Sequence, residues 1–272
     1  MKLGTISWTF GIDDLDELFS KVKATGFDYL QFSGDHTVYD PKDVLAAAEQ
    51  YEVELLAYDP FNSQPPEGME ANLENGVAWY KDILNFALAL KVPMLTLQGL
   101  SFWTVNQPDY ASALQMLVEA VRQLDVEAQQ HNLTLTYEAC NHYELPCIQT
   151  ADELLYIKEA SGAQQLQLVL DSFHMNIAEQ NMVKPLHKIG KDLLHSYHVS
   201  DSGRGGIGTG HIDFVEQFKT LKEIGFDGPV LFEIVIPSVR PYKFPMNEKQ
   251  LEEMMAQGRQ SLNFWKAMMK SE

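Results

Sequence analysis

Three things are scarce in this 272-residue chain: cysteine, long apolar runs and positive charge. Cysteine occurs only twice, as Cys140 and Cys147 in one loop-like stretch. That is too few and too local for a disulfide framework or a zinc knuckle, so two free thiols are expected. No run of about 18 apolar residues is present, which leaves no candidate membrane helix. The first residues, "MKLGTISWTF", move directly into a strand-like segment without the apolar stretch of a signal peptide. A soluble, cytoplasmic protein is expected. The 20 Lys and Arg are outnumbered by 38 Asp and Glu, giving a formal net charge of −18. Binding to nucleic acid rests on a basic footprint, so polyanions are poor partners and small neutral molecules or cations suit the chain better.

Hydrophobic residues make up 45% of the chain, enough for a large core. Short apolar, β-branched or aromatic runs alternate with longer segments of helical period, the pattern of parallel strands joined by helical crossovers. Strands are predicted at 2–8, 29–33, 53–58, 93–98, 133–138, 166–171, 193–200 and 229–235. Helices are predicted near 13–25, 41–50, 71–90, 109–131, 150–161, 181–190, 213–224 and 247–269. The fragments "ATGFDYL" (24–30) and "EIGFDGPVL" (223–231) resemble each other where a helix gives way to a strand, with Gly26 and Gly225 placed to end the helices. Eight βα units over residues 1–272 predict a single-domain (β/α)8 TIM barrel, whose active site lies at the C-terminal ends of its strands. A doubly wound open sheet is the alternative, because periodicity does not show closure.

The late strands share an unusual ending. The fifth closes "TYEACNHYE" with Glu138, the sixth "LVLDSFHMN" with Asp171, the seventh "SYHVSDSGR" with His198 and the eighth "LFEIV" with Glu233. Asp171 alone reads equally well as a helix N-cap, and a lone buried His reads as a hydrogen-bonded core group. Four polar ends in register read differently. In a barrel they meet at one mouth, where ionised carboxylates about 4 Å apart repel by roughly 4 kcal/mol per pair at an effective dielectric of about 20. A cation is expected among them. Three carboxylates and an imidazole suit one divalent ion of the Mn²⁺, Co²⁺ or Mg²⁺ kind, with zinc less suited.

These residues resemble the xylose-isomerase-like TIM-barrel superfamily of sugar isomerases and epimerases, and within it the D-tagatose 3-epimerase and D-psicose (allulose) 3-epimerase group. The likeness in fold covers the whole chain; the specific motifs lie between about 138 and 235. The resemblance implies that Glu138, Asp171, His198 and Glu233 are metal ligands. It implies that Glu144, His174 and Arg204, spaced six, three and six residues after their ligands, contact substrate, and that "GTGHID" (208–213) is the glycine-rich loop after strand seven. Trp103 is the candidate aromatic wall of the sugar pocket, and Trp8, Phe10, Phe32, Tyr58 and Phe61 are further candidates, about half of them for the pocket and half for the core. A small-molecule sugar substrate and a homo-oligomer, dimer or tetramer, are expected.

The implied activity is epimerisation of a ketose at C3. A divalent ion holding the C2 carbonyl and C3 hydroxyl oxygens would stabilise a cis-enediolate, with Glu138 and Glu233 as general base and general acid exchanging roles with direction. His174 and Arg204 would hold the C1–C2 end. Alternatives on the same scaffold are an aldose–ketose or hydroxypyruvate isomerase, an inosose isomerase or dehydratase, an epimerase of a phosphorylated or amine-modified ketose, and a non-catalytic sugar-binding barrel. The segment "IPSVRPYKFPMNEKQ" (236–250) is a candidate cover for a larger ketose. Endonuclease IV-type repair enzymes need histidines at the ends of strands three and four, where this chain has "YDPFN" and "LQGLS". The string "GRGGIG" (203–208) formally satisfies a dinucleotide fingerprint, but more loop is expected after it where that fingerprint needs a helix.

Overall fold

Eight strands close into a parallel barrel in the order in which they occur along the chain: β1 (Leu3–Ile6), β2 (Tyr29–Gly34), β3 (Glu54–Pro60), β4 (Met94–Thr96), β5 (Thr134–Glu138), β6 (Leu166–Asp171), β7 (Leu194–Val199) and β8 (Val230–Phe232). The ladder that closes it pairs Leu3, Gly4 and Thr5 of β1 with Val230, Leu231 and Phe232 of β8. This is the predicted (β/α)8 fold; the doubly wound alternative is excluded by closure. The computed structural model describes residues 1–271.

The helices are α1 (Leu15–Thr25), α2 (Pro41–Gln50), α3 (Leu73–Ala89), α4 (Tyr110–His131), α5 (Ala151–Ser161), α6 (Ser172–Ala178), α7 (Lys184–Leu193), α8 (Phe214–Glu223) and α9 (Glu248–Lys270). Their starts follow local chemistry. Asp14, Asp40, Asn72, Asp109 and Asp213 each accept amides of the first turn, and Thr150 and Asn247 form reciprocal capping boxes with Glu153 and Gln250. Gly26, at φ 103°, ends α1 and sends its N–H back to Val22 and Lys23, as its place in the repeated fragment predicts. Gly225, at φ 74°, lies one residue past the end of α8.

Two differences from the predicted elements matter for the site. Short helix α6 follows β6 without a loop because Asp171 caps it. Beyond β4 the chain winds into a 3-10 segment, Gln98–Thr104, instead of continuing as strand. Among the described residues no helix is long and apolar enough to cross a membrane. Both cysteines are free and buried. Helix α9 seals the outer layer, where Trp265 packs against Tyr197, Phe218 and Phe232.

Candidate metal centre

Strands β5 to β8 deliver the four polar ends to one place. Glu138 and Asp171 are the last residues of β5 and β6, His198 lies in β7 in register with Asp171, and Glu233 follows β8 by one residue. One ligand-type atom from each falls within 4.8 Å of the others, and all four residues are buried.

Asp171 serves both readings of its position. Its Oδ1 accepts the amides of Phe173 and His174 and so starts α6, while its Oδ2 is buried without a hydrogen-bond partner. The same holds for Glu138 Oε1, Glu233 Oε2 and both ring nitrogens of His198. His198 Nδ1 lies 3.3 Å from Glu138 Oε1 and 3.3 Å from Glu233 Oε2, yet neither contact has hydrogen-bond geometry. Buried polar atoms in proteins are nearly always paired, so this convergent set of orphans fits a divalent cation by its donor chemistry: three carboxylate oxygens and one imidazole nitrogen.

The charges agree. Burial pushes Asp171 up to about 6, opposed by His174 and reinforced by Glu233 and Glu138. Burial opposes charge on His198, but Glu138 and Glu233 more than offset it and hold its pKa well above the ordinary imidazole value. Glu233 goes the other way. Burial would raise it, but Arg204 and His198 bring it down to about 2.

Around this cluster stand the three predicted substrate residues. Arg204 is buried in the loop after β7, where its guanidinium bonds Glu144 and, at 2.8 Å, Glu233 Oε1. It lies over the rings of Trp8 and Phe173, 5.2 and 5.1 Å from their centroids. The partners of Arg204 are therefore Glu144 and Glu233, and Asp201 is engaged elsewhere. The Asp201 carboxylate accepts the amides of Ser202, Gly208, Gly210 and Ile212, folding the glycine-rich loop around itself. A Cβ on Gly210 would fall 2.4 Å from that carboxylate, which explains the glycine. Helix α8 opens only at Phe214, so the "GRGGIG" string is loop and not a dinucleotide cradle.

His174 is oriented by a residue that the sequence reading passed over. Asn141 donates its backbone N–H to His174 Nδ1 at 3.2 Å, which makes Nδ1 an acceptor and leaves the proton of the neutral ring on Nε2. That Nε2 lies 3.9 Å from Glu138 Oε1 and 4.0 Å from Glu144 Oε2. His174 lines the cavity at the barrel mouth, with this Nε2–H as its donor.

Glu138 and Glu233 of the cluster, with Glu144, His174 and Arg204, line a cavity of about 790 Å³ at the C-terminal mouth of the barrel. Its walls include Trp8 and Phe61, as predicted, together with Phe102, Tyr143, Tyr242 and Phe244. Trp103 is a correction. It is fully buried away from the cavity, its indole N–H donating to the Ser63 carbonyl at 2.8 Å, with α3 packed so closely that a Cβ on Gly76 would stand 3.1 Å from its ring. The 3-10 turn beyond β4 faces Phe102 to the cavity in its place. Phe10, Phe32 and Tyr58 are likewise core. The predicted cover, 236–250, contributes Pro241, Tyr242 and Phe244 to the wall.

A family profile described as xylose isomerase-like TIM barrel matches residues 19–265. The chain belongs to this family. Among its curated relatives is a D-psicose 3-epimerase of Enterocloster bolteae, 28% identical over 239 residues, covering 81% of this chain and 76% of the relative. A 3-dehydro-D-guloside 4-epimerase of Escherichia coli is 28% identical over 247 residues, covering 86% and 92%. The barrel superposes on a D-psicose 3-epimerase from Clostridium cellulolyticum with a TM-score of 0.81 at 22% identity, covering 98% and 99% of the two chains. The two curated relatives, both named as epimerases, each align over at least three quarters of both chains.

Proposed function

We propose that the protein is a divalent-metal-dependent epimerase that inverts ketoses at C3. The observation that carries this reading is the pair Glu138 and Glu233, each 3.3 Å from His198 Nδ1 and each with a buried oxygen lacking a hydrogen-bond partner. They arrive from β5 and beyond β8, on either side of the ligands of β6 and β7. Inversion needs a proton removed from one face and another returned to the opposite face, which two carboxylates on two sides of one carbon supply.

Glu138, Asp171, His198 and Glu233 would hold the ion; when bound, it supplies Lewis-acid stabilisation of negative charge on adjacent sugar oxygens. Glu138 or Glu233 takes the C3 proton as the C–H bond breaks, and the other delivers a proton to the opposite face. His174 offers its Nε2–H to a sugar oxygen that gains charge. Arg204 keeps Glu233 ionised and therefore able to accept a proton. Glu144 anchors Arg204 and, through Asn141 at 3.1 Å, the support of His174. Trp8, Phe61 and Phe102 exclude water and give the carbon chain an apolar wall.

The two relatives named above support a common chemistry: the name of each places the inverted carbon next to a carbonyl. Incubation of the manganese-loaded protein with a panel of ketoses in D₂O tests the reading. Deuterium at C3 of both epimers is expected. Deuterium at C1 would show aldose–ketose isomerisation instead, and none at any carbon would show a binding protein.

A further inference from the structure

The chemistry above occupies half of the barrel mouth, the ends of β5 to β8. The other half, at β2 to β4, carries polar groups that this chemistry does not use. Asp59, in β3, faces the same cavity. Its Oδ1 accepts the Thr96 hydroxyl at 2.6 Å and the Gln98 amide at 3.1 Å, and its Oδ2 accepts the Ser33 hydroxyl at 3.3 Å. All three donors are neutral. Burial, opposed by the Thr96 hydrogen bond and reinforced by Glu138 and Glu233, pushes the Asp59 pKa up to about 6, leaving it largely ionised at neutral pH and short of positive partners.

Two neighbours on the cavity wall share this shortage. Gln31, in β2, is 1% exposed, and its Oε1 has no hydrogen-bond partner. Gln98, just beyond β4, gives its NH₂ to Asp59, which fixes the orientation of the amide and leaves its Oε1 also buried and unpartnered. Three acceptors, from within β2, near the end of β3 and just beyond β4, therefore look for donors. Among the cavity-lining residues Arg204 is the one Lys or Arg, and Glu144 and Glu233 engage it. The acceptor-rich side has no cationic side chain to receive an anion.

We propose that Asp59, Gln31 and Gln98 form a second subsite that binds the terminal hydroxyl of the ketose chain remote from C2 and C3, so that Asp59 is a specificity-determining residue selecting unphosphorylated ketoses. This rests on the metal centre holding the C2–C3 end, as proposed above; a chain anchored there runs across the mouth toward β2–β4. A hydroxyl donates to Asp59 in a charge-assisted hydrogen bond, whereas a phosphate ester meets a like charge and unpaired carbonyl oxygens.

The test compares a ketohexose with its 6-deoxy and 6-phosphate forms on manganese-loaded wild type and Asp59→Asn, by calorimetric binding and by C3 exchange in D₂O. Wild type should bind the ketohexose about 10- to 100-fold more tightly than the 6-deoxy sugar, the range of a hydrogen bond to a charged group, with the phosphate weakest. Asp59→Asn should reduce the first ratio to below about threefold and improve binding of the phosphate, acting on KM far more than on kcat. Gln31→Leu should lower the same ratio, which keeps the test open if Asp59→Asn folds poorly. Equal wild-type affinity for the hexose and 6-deoxy sugars, an unchanged ratio in both variants, or a wild-type preference for the phosphate would overturn the subsite. Absence of exchange would count against the epimerase reading alone, because binding reads the subsite without turnover.

Discussion

Replacing Arg204 by Met separates the two things that its guanidinium does. Methionine keeps an unbranched stem between Trp8 and Phe173 and, like arginine, is a non-glycine residue in the left-handed region at φ 65°. Backbone strain is therefore alike in the two proteins. What is lost is the cation between Glu144 and Glu233, and removing one partner of a buried pair costs about 3–5 kcal/mol. The depression of Glu233 from 4.5 to about 2, caused first by Arg204 and further by His198 and His174, sets an upper bound on Glu233's share of that loss. At about 1.4 kcal/mol per tenfold in proton affinity it corresponds to roughly 3 kcal/mol. A folded-state pKa below the unfolded value stabilises the protein above about pH 4.5, and that contribution disappears as pH falls from about 4.5 to about 2. The metal-free variant should therefore melt roughly 6–20 °C below wild type at neutral pH, using about 2–4 °C per kcal/mol for a chain of this size, with the gap closing in strong acid. Metal affinity should move oppositely: with a neighbouring positive charge gone, the four ligands bind a divalent ion as tightly as before or more so. Scanning calorimetry with and without manganese, paired with metal titration, reads both quantities. An unchanged metal-free melting temperature, or affinity lost together with stability, would refute this account of Arg204.

Asp171→Ala and His198→Ala should each abolish stoichiometric metal binding by elemental analysis; full occupancy in both would remove the proposed centre. The metal-free protein should be more stable near pH 5.5 than near pH 8, because Asp171 and Asp59, raised to about 6, and His198, raised well above 6.5, all bind protons more tightly folded than unfolded. The metal-loaded protein should show the reverse trend, since its ligands bind the ion deprotonated; parallel pH profiles with and without metal would contradict this. Asp201→Ala should leave four loop amides without their acceptor and raise hydrogen exchange across 202–212, an effect that peptide-resolved exchange would detect or exclude.

The parts of this molecule that were legible in sequence are those set by period and by strand ends. Alternating apolar runs predicted all eight strands, and Glu138, Asp171, His198 and Glu233 stood out because charged groups closing buried strands need a common explanation. What was not legible depends on how the chain turns after a strand. Trp103 and Phe102 are adjacent, and only the 3-10 winding of 98–104 decides which enters the core and which the cavity. Asp59 closes β3 much as Asp171 closes β6, but its neutral partners Ser33, Thr96 and Gln98 come from other strands, so its place in the cavity follows from closure of the barrel. Asn141 acts on His174 across 33 residues, a contact for which local spacing carries no signal. Tyr242 and Phe244 belong to the segment 236–250, expected as a cover, where no period says which side chains turn into the cavity.

The most direct test of the central claim, that Glu138 and Glu233 serve opposite faces of one carbon, is hydrogen exchange by Glu233→Gln. The variant is loaded with manganese, its occupancy is measured, and it is given each C3 epimer of an active ketose separately in D₂O. Glutamine retains a ligating oxygen and loses the base. Washout of the C3 hydrogen should therefore persist from one epimer and stop from the other, with net interconversion below about a hundredth of wild type, the scale of one general acid–base step. Washout from both epimers at near-normal rates, with metal in place, would contradict the two-base account.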